Sequence, residues 1–130
     1  MNLLLDTHIL LWVLASPTKL PTKAAMLINQ AHVVYFSPVN WREVGTKSTI
    51  WPEYGIRRLE DLHADALRAN LKELPVCSAD TILSTILPLF HRDPIDRILI
   101  AQSHNHQCHL LTVDDKIAGY QMPYVILAKA

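Results

Sequence analysis

The chain has 130 residues, half of them hydrophobic and 18% charged, with 12 Lys and Arg balanced by 12 Asp and Glu. That length fits one domain with a sizeable core, so 1–130 reads as a single domain. Zero net charge weighs against a protein that coats nucleic acid through bulk charge, though local charge can still act, and the scarcity of glycine and of polar tracts excludes a disordered chain.

In chain order, Asn2 to Leu5 is an apolar run ending at Asp6-Thr7, which predicts a buried strand. The apolar start through Ser16 resembles a secretion signal, but it lacks a positive leading region and Asp6 and His8 interrupt it. It is also too short to span a bilayer. It reads as a strand and a helix (Ile9 to Leu14) of a soluble, cytoplasmic protein without a membrane attachment. Pro21-Thr22 opens a second helix through Ile28. His32 to Phe36, β-branched and aromatic, is a second strand. Ser37-Pro38 then gives a cap and a first-turn proline for a helix carrying Trp41, Glu43, Val44 and Lys47 and stopping near Trp51-Pro52.

Leu59, Leu62, Ala66 and Leu67 repeat at helical spacing. Leu74 to Cys77 is expected as a third strand, with Ser78 capping a helix that ends near Pro88. Asp93-Pro94 repeats the cap-then-proline signal before a helix containing Asp96 to Ala101. His109 to Val113 and Tyr124 to Ala128 are the last strands. Regular alternation of strand and helix predicts an α/β sandwich around a mostly parallel sheet. Sites in such sheets form outside the carboxyl ends of the strands.

The acids fall at those places. Asp6 and Asp114 directly follow strands, Asp93 and Asp96 begin one helix, and Glu43 lies in the second turn of another. Converging carboxylates repel and raise one another's pKa. A divalent cation relieves that cost, and oxygen-only ligands suit Mg²⁺ or Mn²⁺. Such a cluster can polarise a phosphodiester and activate water. Each acid also has a structural reading: Asp6 as a strand terminator, Asp93 as an N-cap, Asp96 as a complement to the helix dipole, Asp114-Asp115 as a turn, and Glu43 as a partner for Lys47. Cys77 and Cys108 read as buried free thiols. His104, His106 and His109 cluster near Cys108, but His104 and His106, two apart on a helix, point in different directions, which disfavours zinc. Trp12 and Trp41 read as core or dimer-surface residues, and Trp51 as the better candidate for stacking on a base.

Four segments resemble one family in order. Leu3 to Trp12 is similar to the opening of PIN-domain proteins, and Ser37 to Lys47 to their second-acid segment. His91 to Gln102 resembles the third-acid segment of VapC-type toxins, and Leu110 to Asp114 the strand delivering the fourth acid. The resemblance implies a PIN-like three-layer α/β sandwich with a five-stranded sheet. It implies a Mg²⁺- or Mn²⁺-dependent endoribonuclease, the toxin of a toxin–antitoxin pair, held as a homodimer and neutralised by a small VapB-like antitoxin. Carried over, Asp6, Glu43, Asp96 and Asp114 match the acidic quartet, and Asp93 an additional Asp. Thr7, Asn40 and Thr112 match polar neighbours that would orient the carboxylates. Asn40 stands where Ser or Thr is frequent, and Asp115 leaves the fourth assignment open to a slip of one.

On this scheme Asp6 and Asp96 would hold metal most directly, with Asp114 assisting, and Glu43 would hold a water or serve as general base. Attack by water predicts 5′-phosphate and 3′-hydroxyl RNA ends. Arg97, Lys47, Arg92 and Lys116 are candidates for the phosphate path by their nearness to the acids, each with a solvated-charge reading beside it. The competing class is a PIN-like module that binds RNA or protein without catalysis. A haloacid-dehalogenase-like phosphatase would need Asp where His8 stands, and a receiver domain would need an acidic pair before its phosphorylated Asp and a strand-end Lys, neither of which is evident.

Overall fold

The computed structural model describes residues 1–47, 58–88, 93–120 and 122–129. Its sheet has five strands in the order β3-β2-β1-β4-β5, all neighbours pairing in parallel. The strands are β1 (Asn2–Leu5), β2 (Val33–Phe36), β3 (Lys72–Glu73), β4 (His109–Thr112) and β5 (Val125–Leu127). The helices are α1 (Thr7–Ala15), α2 (Thr22–Gln30), α3 (Pro38–Thr46), α4 (Leu59–Arg68), α5 (Ser78–Ile86), α6 (Pro94–Asn105) and α7 (Asp115–Ala118), with a 3₁₀ turn at Pro17–Lys19.

β1 is the central strand, and Leu3, Leu4 and Leu5 are fully buried. Their alternation splits the core into two layers. Leu3 and Leu5 pack with Ile9, Leu10, Phe36 and Ala66 on one face. Leu4 packs with Leu99, Ile100, Leu110 and Ile117 on the other. An unbroken apolar run is what a strand covered on both faces requires. A smaller cluster of Leu11, Val44 and Leu62 ties α1, α3 and α4 together.

The connectivity places the site. From β1 the chain steps outward to β2 and β3, then crosses back to the far side of β1 to lay down β4 and β5. The strand order therefore reverses at β1 and β4, and a crevice opens at their carboxyl ends.

Several expectations need correction. Leu74 to Cys77 is not the third strand: the β3 ladder pairs Tyr35 with Lys72 and Phe36 with Glu73. The Leu74 amide makes one more bond, to the Phe36 carbonyl, and Pro75 then offers no N–H to extend the ladder. The cap of α5 is Cys77, not Ser78, which is already helical. Helix α3 ends at Thr46 with Lys47 as its C-cap, short of the expected stop; that stop, at Trp51-Pro52, lies outside the described residues. Both cysteines are free, but only Cys108 is buried, and Cys77 is exposed. Trp41 packs against Phe36 at 5.4 Å between ring centroids, and Trp12 lies against the same core. Among the described residues no helix is long and apolar enough to cross a membrane.

Candidate active site

The parallel strands deliver their carboxyl ends to one edge, where helix starts meet them. Asp6 ends β1 and caps α1. One carboxylate oxygen accepts the Thr7 amide at 2.8 Å, and the other accepts the Thr112 hydroxyl at 2.7 Å. Asp6 is thus fixed from its own helix and from the neighbouring strand β4.

Asn40 works one step further back. Its side-chain oxygen accepts the Ser37 amide at 2.7 Å, completing a capping box at the start of α3. Its amide nitrogen donates to the Thr7 hydroxyl at 3.0 Å and to the Leu5 carbonyl at 3.4 Å. Asn40 therefore ties α3 to the β1–α1 corner rather than touching a carboxylate directly. One turn later α3 presents Glu43, 5% exposed.

Asp93 caps α6 through the Ile95 amide at 2.9 Å, which places Asp96 in the first turn. Asp114 caps α7 by accepting the Lys116 amide at 2.9 Å, while its own amide donates to the Thr112 hydroxyl at 3.0 Å. Asp115 is exposed and pairs with Lys129 instead. The cleft of about 220 Å³ is lined by Asp6, His8, Glu43, Lys47, Asp93, Asp96, Asp114 and Lys116. Carboxylate oxygens of Asp6, Glu43 and Asp96 lie within 4.8 Å of one another.

Burial and mutual repulsion govern the electrostatics. Desolvation is the largest effect on Asp96, followed by the charges of Asp6, Asp93, Glu43 and Asp114; together they push its carboxyl up to about 8. Desolvation also raises Asp6 to about 6, moderated by its bonds to Thr112 and Thr7 and reinforced by Glu43 and Asp114. Lys47 supplies counter-charge, its ammonium 3.1 Å from Glu43 and 3.4 Å from Asp93. Partial burial works against that ammonium, but the two acids outweigh it and raise its pKa.

The donor set fits a hard divalent cation. It is oxygen-only, it converges, and its carboxyls, raised by burial and then by one another's charge, carry a cost that a cation would relieve.

The basic candidates separate. Lys47 and Lys116 line the cleft. Arg97 does not: it is 7% exposed and donates to the carbonyls of Ser84, Leu87 and Pro88 and to the Tyr120 hydroxyl. Its guanidinium closes the end of α5, so its expected role on an RNA path is withdrawn. Arg92 and Trp51 lie outside the described residues. Sequence reading missed His8 as a cleft residue. Its signal was available, because a residue two beyond the strand-end Asp lies in the first turn of the helix that starts at the crevice. Desolvation lowers the His8 imidazole pKa against the pull of Glu43 and Asp114.

The family model described as PIN domain matches residues 3–121. Among solved structures, the chain is similar to one in a toxin–antitoxin complex from Klebsiella pneumoniae, with 17% identity, coverage of 95% of this chain and 94% of that one, and a TM-score of 0.64. It is similar to a chain of VapBC2 from Rickettsia felis, described as bound to a DNA fragment from their promoter, at 13% identity, 97% and 96% coverage and a TM-score of 0.65. It also resembles a chain of FitAcB from Neisseria gonorrhoeae, at 16% identity, 95% and 96% coverage and a TM-score of 0.59. These likenesses speak to the fold. No curated protein sequence matches the chain.

Proposed function

The chain belongs to the PIN domain family, and from that premise we propose that it is a divalent-metal-dependent endoribonuclease, the toxin of a toxin–antitoxin pair. The observation that carries this reading is the convergence of Asp6, Glu43 and Asp96 within 4.8 Å in an open cleft rimmed by Lys47 and Lys116.

Asp6, Asp96 and Asp114 would hold Mg²⁺ or Mn²⁺, with Glu43 beside them. The ion, when bound, supplies Lewis-acid stabilisation of charge at the scissile phosphate. The protein supplies the rest. The Thr7 amide and the Thr112 hydroxyl hold both Asp6 oxygens in place. Glu43 takes the proton from the attacking water as general base. Lys47, bridging Glu43 and Asp93, keeps Glu43 oriented. Lys116, exposed at the rim, offers a cation to the RNA backbone. Water attack leaves 5′-phosphate and 3′-hydroxyl ends.

We assign the chain a small VapB-like antitoxin as partner and a homodimeric state. Its structural neighbours include chains of toxin–antitoxin complexes, which supports the first assignment. The exposed isoleucines Ile82 and Ile86, 64% and 74% accessible and one turn apart on α5, provide apolar surface for a protein contact.

The test is cleavage of total cellular RNA by purified, antitoxin-free protein with Mg²⁺ or Mn²⁺, with EDTA and Asp96→Asn as controls and the ends mapped by sequencing. Discrete metal-dependent cuts with 5′-phosphate ends, lost in the variant, are expected. A 2′,3′-cyclic phosphate product would contradict water attack. Equal behaviour of folded wild type and variant would favour a non-catalytic binding module.

A further inference from the structure

A second cluster of metal-ligating side chains lies far from the acidic cleft. Cys77, Asp80 and His106 each offer a ligand atom, all within 4.8 Å of one another. Asp80 and Cys77 come from the first turn and cap of α5, and His106 caps the end of α6. Asp96 sits at the opposite end of α6, ten residues away, or about 15 Å at a helical rise of 1.5 Å per residue. The two clusters therefore share no ligand.

The geometry exceeds what a helix cap needs. The cap itself is the 2.9 Å bond from the Cys77 amide to an Asp80 oxygen. In addition, the Cys77 sulfur lies 3.2 Å from that oxygen, and His106 Nε2 lies 3.2 Å from both Asp80 oxygens. Sulfur and Nε2 are 4.0 Å apart. A tetrahedral zinc ion, with bonds of 2.0–2.3 Å, sets its ligand atoms roughly 3.3–3.6 Å apart. Small adjustments of two partly exposed side chains reach that spacing.

The surroundings hold the donors in place. Asp80 is fully buried, and Asn105 donates to its Oδ1 at 2.9 Å, as an outer partner of a ligating carboxylate does. Gln107, at φ 54°, takes the left-handed conformation that ends α6 directly after His106. Cysteine is also an unusual choice for an N-cap, where Ser, Thr, Asp and Asn are preferred. The His106 side chain is 32% exposed and Cys77 is exposed, so an ion has a path in and solvent has a path to a fourth position.

We propose that Cys77, Asp80 and His106 form a second metal site, one that takes Zn²⁺ or a similar borderline cation and staples the start of α5 to the end of α6. Thiolate and imidazole select against Mg²⁺, so this site and the oxygen-only cleft sort different ions. On binding, the Cys77 thiol loses its proton to solvent, and the imidazole ligates through Nε2 while keeping its proton on Nδ1.

The test is a Co²⁺ titration of the reduced wild-type protein, followed by absorbance. Only a sulfur-containing site gives a thiolate-to-cobalt charge-transfer band in the near ultraviolet, so the acidic cleft is silent in this readout. The expected result is a band that saturates at one ion per chain, is displaced by Zn²⁺, persists in Asp96→Asn and Cys108→Ala, and is lost in Cys77→Ser. Serine caps helices well, so Cys77→Ser retains the fold, which circular dichroism checks. His106→Gln should weaken Co²⁺ binding by more than the roughly 10–100-fold typical of losing an outer partner. Absence of the band from wild type, or its persistence in Cys77→Ser, overturns the proposal.

Discussion

Asp96 and Arg97 are neighbours in the chain and nearly equal in burial, at 5% and 7% exposed, yet they serve different ends. Asp96 joins the acids of the cleft, while Arg97 turns away to close on carbonyls of Ser84, Leu87 and Pro88. Replacing Arg97 by Met should cost on the order of 3 kcal/mol in urea denaturation, since buried carbonyls left without donors cost about 1–3 kcal/mol each. Lys116→Ala should stay within about 0.5 kcal/mol of wild type while weakening RNA binding and flattening its salt dependence. Glu43→Gln should lower kcat by roughly 10²–10⁴-fold, the usual worth of a general base, with KM for RNA little changed. A rise in KM with kcat preserved would assign Glu43 to substrate contact instead. At this scale the sequence reports types and spacings, not directions. Glu43 and Lys47 are one turn apart and do pair, so that contact was legible. The direction of Arg97 was not, because it depends on where α5 ends, and nothing near Arg97 in sequence encodes that.

At the scale of elements, the caps and the cleft are made of the same residues. Asp6, Asp93 and Asp114 each satisfy a helix start with one oxygen. Of these, only Asp93, before Pro94, is legible in sequence as a cap; Asp6 and Asp114 are legible by the apolar strands they follow. Ser37 and Asn40 show how much rests on one such start. Ser37→Ala should cost about 1 kcal/mol, the ordinary loss of an N-cap. Asn40→Ala should cost more, because it also strips the Thr7 hydroxyl and the Leu5 carbonyl of a buried donor. If Asn40 positions Asp6 through Thr7, its loss should also weaken Mg²⁺ binding, measured by calorimetry, beyond any effect of Ser37→Ala. The strands of the sheet centre were legible because β1 and β4 are buried on both faces and read as continuous apolar runs. The edge strand β3 was not: it is two residues long, exposed and charged, and its pairing depends on Phe36 across the sheet. The Cys77–Asp80–His106 cluster escaped for a similar reason. His106 stood out among neighbouring histidines, but its partners come from another helix.

For the molecule as a whole, the cleft is a standing electrostatic cost that depends on pH and that a bound cation would relieve. Asp6 and Asp96 have folded-state pKa values raised to about 6 and about 8. A raised value means the folded state binds the proton more tightly than the unfolded state does. The stabilisation from protonation is thus full below the ordinary carboxylate range and is lost as pH rises through about 6 for Asp6 and about 8 for Asp96. The metal-free protein should therefore melt at a lower temperature at alkaline pH than in mild acid. The difference is on the order of a few kcal/mol, because each tenfold gain in proton affinity on folding is worth about 1.4 kcal/mol. Asp96→Asn removes the upper part of that slope, so it should melt above wild type at about pH 8.5 and close to it at about pH 4, where the wild-type carboxyl is already neutral. On the proposed function, Mg²⁺ should give the opposite response. Bound to the deprotonated carboxylates of the native cleft, it would stabilise by RT ln(1 + [L]/Kd), so its effect should grow with pH as the alkaline penalty does. One kcal/mol corresponds to about 4 °C at this chain length, which scanning calorimetry in Mg²⁺ and in EDTA resolves readily. Mg²⁺ is the ion to use, because thiolate and imidazole disfavour it and the site at Cys77 stays out of the measurement. A Mg²⁺-induced rise in melting temperature that is larger at about pH 8.5 than at about pH 5, and is reduced in Asp96→Asn, would tie the penalty and its relief to the same carboxylates. A rise independent of pH and of Asp96 would place the ion elsewhere and leave the acidic cluster without its counter-charge.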